Sequence, residues 1–126
     1  MRRIRKMYGG GMRQAGILAA AGLYALEHNI PKLHDDHKHA KLLSLNLEEI
    51  PGIGIDSTAT QTNIVVFDVG SVSKNPDKLV DTLRNEGILV SRFTSTTFRA
   101  VMHLDITEED VLYAIQVLKR TLSQTN

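Results

Sequence analysis

From Ala15 to Leu26 the chain runs twelve residues without a charged or strongly polar side chain, AGILAAAGLYAL. A helix built from this stretch has no polar face, and a helix that is apolar all the way round belongs in an interior. It is too short to cross a bilayer, for which about 20 residues are needed. The surface it presents therefore has to be covered by protein. Gly16 and Gly22 each cost roughly 1 kcal/mol of helix propensity relative to alanine, a cost tolerated where another helix packs close. The pattern predicts a helix over about residues 11–27, buried on most sides.

The residues before it are equally distinctive. Arg2, Arg3, Arg5 and Lys6 lead into the triple glycine Gly9–Gly11, and Arg13 follows. Glycines let backbone approach backbone or ligand closely, since no Cβ intervenes. Two cations around a glycine turn at a helix start describe an anion or phosphate site, because the first N–H groups of a helix are unpaired. A plain turn has the same signature, and so far both readings stand.

At 126 residues the chain fits one domain, and such a chain can bury roughly 65% of its unfolded surface. An apolar content of 42% with 23% charged residues is ordinary for a globular protein. A net charge of +1 and only three Tyr, three Phe and no Trp argue against nucleic acid or a membrane surface as an obligatory partner. Cysteine is absent, which excludes a disulfide framework, a thiolate nucleophile and a Cys-based metal site. A cytoplasmic location is expected.

Along the chain, residues 1–10 read as a helix end or an extended entry, broken at the glycines. A second helix is predicted from Pro31 to about Glu49, with Leu33, His37, Ala40, Leu43 and Leu47 as its inward stripe. It carries His34, Asp35, Asp36, His37 and His39. His34 and His37 lie one turn apart, as a metal pair would. With no third distant ligand indicated, the cluster is expected to be a solvated face, and no metal site is assigned. Residues 50–61 form a loop punctuated by Pro51, Gly52 and Gly54. Residues 62–69 are rich in β-branched side chains and predict a buried strand. Asn75 caps a helix over 76–85 that Gly87 ends. Strands follow at 88–92 and 98–104. Thr107 with Asp110 makes a capping box for a last helix to about residue 122, with Val111, Ala114, Ile115 and Leu118 facing in. The order strand, helix, strand, strand, helix predicts an α+β layer with helices on one face of a mostly antiparallel sheet.

Four stretches, RKMYGGGMRQAGILAAAGLYAL, DDHKHAKLL, TNIVVFDV and FRAVMHLDIT, resemble in order the C-terminal part of the low-specificity L-threonine aldolases. These are pyridoxal 5'-phosphate (PLP) enzymes of the aspartate-aminotransferase fold type. The five basic and no acidic residues of positions 1–26 look superficially like a transit peptide, but the resemblance runs through them, and they read as mature protein. The apolar run starts after Arg13 and lacks a clean cleavage region, which argues against a secretory signal.

The resemblance implies that residues 1–50 are the glycine turn and two inter-domain helices, and that 51–126 are the small C-terminal α+β domain. It implies that Arg99 grips the substrate carboxylate, where a planar guanidinium matches a carboxylate bidentately. Residues alone allow a surface strand arginine there. It also puts Lys6 and Arg13 near the cofactor, reaching a neighbouring subunit's site; loop solubility and a packing ion pair are the alternatives. Asn63 either points toward the same cleft or starts the strand. His103 and Asp105 read as strand-end and turn residues rather than as a base. The family's Schiff-base lysine, phosphate loop, ring-stacking histidine and ring-nitrogen aspartate precede the matched segment, and none of Lys6, Lys32, Lys38, Lys41, Lys74, Lys78 or Lys119 lies in such a context. No catalytic residue is assigned.

The large PLP-binding domain is therefore expected to be absent, and cofactor binding by this chain alone is doubtful. The full-length family cleaves L-threonine and L-allo-threonine to glycine and acetaldehyde as a homotetramer. This chain is expected to be a truncated relative, inactive by itself. The alternative is a non-catalytic subunit that associates with itself or with full-length subunits through the apolar helix.

Overall fold

The structure, a computed structural model, describes residues 1–123 and divides into two compact units, one of Met1–Pro31 and one from Lys32 onward.

The first unit holds helix α1 (Arg2–Met7) and helix α2 (Gly16–His28). The triple glycine ends α1. Gly9 sits at φ +79°, its N–H donates to the Lys6 carbonyl at 3.2 Å, and the Gly10 N–H donates to the Arg5 carbonyl at 2.8 Å. This is the left-handed helix stop that glycine favours. A Cβ on Gly10 would fall 2.6 Å from Arg5 Cγ and 3.0 Å from the Arg5 carbonyl oxygen, so the turn has no space for a larger residue. α2 starts at Gly16, later than the expected residue 11, because Gln14 stands at φ +52° and breaks the helical path. Its C-terminal end carries a Tyr24–His28 ring stack, with centroids 4.2 Å apart. The expectation of burial is overturned: no residue of α2 is buried, and Ile17 is 84% exposed.

A 3-10 turn (Ile30–Lys32) spans the boundary in the chain and leads into α3 (Leu33–Glu48) of the second unit. Then come β1 (Ile64–Asp68), α4 (Pro76–Asn85), β2 (Ser91–Arg92), β3 (Thr97–Val101) and α5 (Glu108–Ser123). The three strands form one antiparallel sheet in the order β1-β3-β2. The fold is α+β, with the expected order of elements after the loop.

The strand register sorts the faces. Val65 pairs with Ala100 and Phe67 with Phe98, and all four are buried. They meet Leu43 and Leu47 of α3 and Val111, Ile115 and Leu118 of α5 in one apolar core. Phe67 and Phe98 lie 6.0 Å apart between ring centroids. The strands are shorter than their β-branched runs. Asn63 lies outside β1 but clamps its end, accepting from the Met102 N–H and donating to the Met102 carbonyl, each at 2.8 Å.

The helix ends obey local chemistry. Asn75 accepts the Lys78 N–H at 3.1 Å and caps α4. Gly87, at φ +79°, closes it, with the Ile88 N–H on the Leu83 carbonyl at 2.8 Å. Thr107 Oγ1 accepts the Asp110 N–H while the Asp110 carboxylate accepts the Thr107 N–H, a reciprocal capping box.

The inward stripe of α3 is partly corrected. Ala40, Leu43 and Leu47 are buried, but Leu33 and His37 are exposed, and Asp36, His39 and Ser44 take their place. At 100° per residue Asp36 falls within about 20° of Leu43 around the helix, whereas His37 lies about 120° away.

Candidate functional site

The outer face of the sheet is the one the helices leave open. Along β3 the side chains alternate, so Phe98 and Ala100 point inward while Thr97, Arg99 and Val101 share the other face. Arg99 stands on the central strand, opposite Val66 on one side and Ser91 on the other. Ile64, Val66 and Val101, on the same face, are each about 40% exposed. Beside them a cavity of about 420 Å³ is bounded by Ile64, Val66 and the loop from Gly54 to Thr60.

Arg99 is half-buried, and its Nε is sealed from solvent without a hydrogen-bond partner. Among the described residues its guanidinium forms no ion pair and no hydrogen bond. A sealed donor left without an acceptor costs about 1–3 kcal/mol. An acceptor that reaches Nε together with one terminal nitrogen removes that cost, and a carboxylate does so with two parallel bonds.

The carboxylate nearest in register does not serve this purpose. Asp68, opposite Thr97, accepts Thr96 Oγ1 at 2.6 Å, Thr97 Oγ1 at 3.0 Å and the Gly70 N–H at 2.8 Å. The Thr96 hydroxyl, the Gly70 amide and the Thr97 hydroxyl together hold its pKa below the usual aspartate value. The open face thus pairs one uncommitted cation with one fully committed anion.

Lys6 and Arg13 flank the glycine turn in the first unit. Both are exposed, and neither is engaged by an acidic partner among the described residues. A Cβ on Gly11 would lie 3.3 Å from Lys6 Cγ, so the lysine stem lies along the turn. The α2 N-terminus directly after Arg13 has no side-chain cap. The first N–H groups of α2 therefore have no side-chain acceptor of their own.

Asn63 spends its amide on Met102, which favours the strand-start reading. His103 and Asp105 sit 3.7 Å apart in an exposed turn. His34 and His37 are exposed, and among the described residues no three His, Asp or Glu side chains are arranged to hold a metal ion. Sequence reading missed Asp36 and His39, which it placed on a solvated face and which are buried. The helical phase relative to Leu43 is the signal that places them inside. Among the described residues no helix is long and apolar enough to cross a membrane.

The second unit is thus an α+β layer with an open sheet face that carries Arg99, and the first carries Lys6, Arg13 and the uncapped start of α2. The chain belongs to the beta-eliminating lyase family, whose sequence profile matches residues 1–69. It is 42% identical over 120 residues to low-specificity L-threonine aldolase 1 of Arabidopsis thaliana, covering 94% of this chain and 34% of that protein. It is 39% identical over 109 residues to the low specificity L-threonine aldolase of Escherichia coli K12, covering 86% and 31%. A probable low-specificity L-threonine aldolase of Schizosaccharomyces pombe is 38% identical over 120 residues, covering 95% and 29%. The chain thus spans about a third of the length of these relatives.

Proposed function

We propose that this chain represents the carboxylate-anchoring part of a PLP-dependent threonine aldolase, and that the complete enzyme cleaves L-threonine or L-allo-threonine to glycine and acetaldehyde. In that reading residues 1–50 are the glycine turn and inter-domain helices, and 51–126 the small domain. The observation that carries it is Arg99, a strand-mounted guanidinium with a sealed, unpartnered Nε on the open face of the sheet. Held between Val66 and Ser91, Arg99 fixes the substrate carboxylate and so orients the Cα–Cβ bond of the amino acid. Lys6 and Arg13, with the free N–H groups at the start of α2, hold the phosphate of PLP, in this or a neighbouring subunit. When bound, PLP supplies the electron sink for the cleavage. The half-exposed Ile64, Val66 and Val101 exclude water around the arginine when covered, which strengthens its hold on an anion.

Alone, the 126-residue chain is expected to release no acetaldehyde. A second reading, favoured by the uncovered α2, is a non-catalytic subunit that joins copies of itself or intact aldolase subunits, in line with an oligomeric family. Co-purification with a tagged intact aldolase supports it, and a monomer that captures none opposes it. A cytoplasmic setting belongs to the same proposal.

The test grafts this chain onto the preceding part of the Arabidopsis enzyme and measures acetaldehyde release. Arg99→Ala should lower kcat/KM by roughly a hundredfold or more, the worth of two charge-assisted hydrogen bonds. Arg99→Lys should recover only part, since an ammonium lacks the fork. An Arg99→Ala chimera within threefold of its parent would remove the assignment, and turnover by the isolated chain would refute its expected inactivity.

A further inference from the structure

The side of α3 that meets the β3–α5 turn holds a carboxylate with nothing to neutralise it. Asp36 is 6% exposed and makes no hydrogen bond or ion pair among the described residues. Its oxygens are not sealed, because the sealed, unpartnered side-chain atoms are His39 Nδ1 and Arg99 Nε. Asp36 lines a cavity of about 240 Å³ together with His39, itself 9% exposed. A buried carboxylate without a partner is costly, and its cost is relieved by a cation that brings N–H donors.

The other charges around the cavity do not meet this need. Lys38 is committed, its Nζ donating to Glu108 Oε2 at 2.6 Å. The Glu108 carboxylate and its hydrogen bond hold the Lys38 pKa up. Lys32 stands four residues before Asp36, and a lysine N-terminal to its acid is the less favourable orientation of an i, i+4 pair. With Lys38 and Glu108 cancelling, the wall keeps Asp35 and Asp36 against Lys32, a net charge of minus one. Leu104 and Ile106 supply an apolar side to the same space.

We infer that this cavity is a binding site for a small primary ammonium compound, its –NH₃⁺ on the Asp36 carboxylate beside His39 and its short aliphatic part against Leu104 and Ile106. The site lies within the second unit and does not depend on the aldolase reading. Two sources share this chemistry, a simple alkylamine and a zwitterionic amino acid, whose carboxylate would face Lys32.

The experiment titrates the full 126-residue chain with n-butylammonium, with norvaline, which is the same molecule carrying an α-carboxylate, and with tetramethylammonium, which has no N–H. Heat and amide NMR shifts are read together. The expected result is saturable one-to-one binding of one or both primary ammonium probes, with shifts confined to the neighbourhood of Asp36, His39, Leu104 and Ile106, and none with tetramethylammonium. Asp36→Asn should weaken binding at least about tenfold, the loss of a charge-assisted hydrogen bond. Asp35→Asn, at an exposed position, should weaken it less than about threefold. Tighter binding of norvaline, with the advantage lost in Lys32→Met, assigns the site to amino acids; tighter binding of the amine assigns it to free amines. No saturable binding of either probe, shifts elsewhere, or equal binding of tetramethylammonium overturns the proposal. So does an Asp36→Asn chain that keeps its fold and its affinity. Should that variant unfold, the wild-type shift map still decides.

Discussion

Helices α2 and α5 are both rich in apolar residues, and their fates are opposite. α5 lays Val111, Ile115, Leu118 and Leu122 into the core and keeps Glu108, Glu109 and Asp110 at its exposed start. α2 has more apolar residues per turn and buries none of them. The difference is phase rather than amount. A stripe at 3.6-residue spacing can be satisfied by one neighbouring layer, here the sheet and α3, whereas a helix apolar on all sides needs cover from several directions. The second unit therefore satisfies the apolar stripe of α5 internally, whereas in the first α2 stays exposed along its length.

The largest predicted effect tests this contrast directly. Phe67→Ala, at a 1% exposed site against Phe98, should destabilise the second unit by about 3–5 kcal/mol. Leu18→Ala in α2, at a 62% exposed site, should change stability by less than about 0.5 kcal/mol. Urea unfolding followed by circular dichroism measures both. Comparable losses would mean that α2 is covered in solution, and a concentration-dependent midpoint would identify a second copy as the cover.

The same contrast governs what could be read from sequence. Elements whose signals are local were legible: Asn75 and Gly87 bracket α4, the Thr107–Asp110 box opens α5, and the β-branched run around Val65 gives the central pairing. Arg99 was legible as a candidate only through resemblance, since nothing in its immediate neighbours announces that its Nε is sealed. The failures are tertiary. β2 covers only Ser91–Arg92, and the N–H of Ile88, at the start of the predicted strand, closes α4 on the Leu83 carbonyl instead. Asp36 and His39 were misplaced because polar identity outweighed helical phase. α2 was expected inside because composition states that a surface wants cover and cannot say which chain supplies it.

A smaller effect sharpens the claim that the second unit is locally specified. Asn75→Ala removes the acceptor of the Lys78 N–H and should cost about 1 kcal/mol, while Asn75→Asp should retain most of the stability. Thermal unfolding monitored at several protein concentrations separates this from association. A loss as large as that of Phe67→Ala would mean that Asn75 does more than cap.

The smallest effect is electrostatic, and it separates the units by acidity. Asp68 has its carboxylate stabilised by the Thr96 hydroxyl, the Gly70 amide and the Thr97 hydroxyl, so its folded pKa lies below the unfolded value. Folding is then favoured above the unfolded aspartate pKa of about 3.9, and that contribution fades as the pH falls through the folded pKa. Asp56 and Asp110, lowered by Thr58 and Thr107, act in the same direction, while the only acidic side chain of residues 1–31 is Glu27. Acid titration should therefore loosen the second unit below about pH 4 while leaving the helicity of the first largely unchanged. Asp68→Asn should flatten part of that acid slope without altering stability differences among points well above it. An unchanged slope would mean that Asp68 keeps its hydrogen bonds when protonated, and that the acid sensitivity belongs to the capping carboxylates instead.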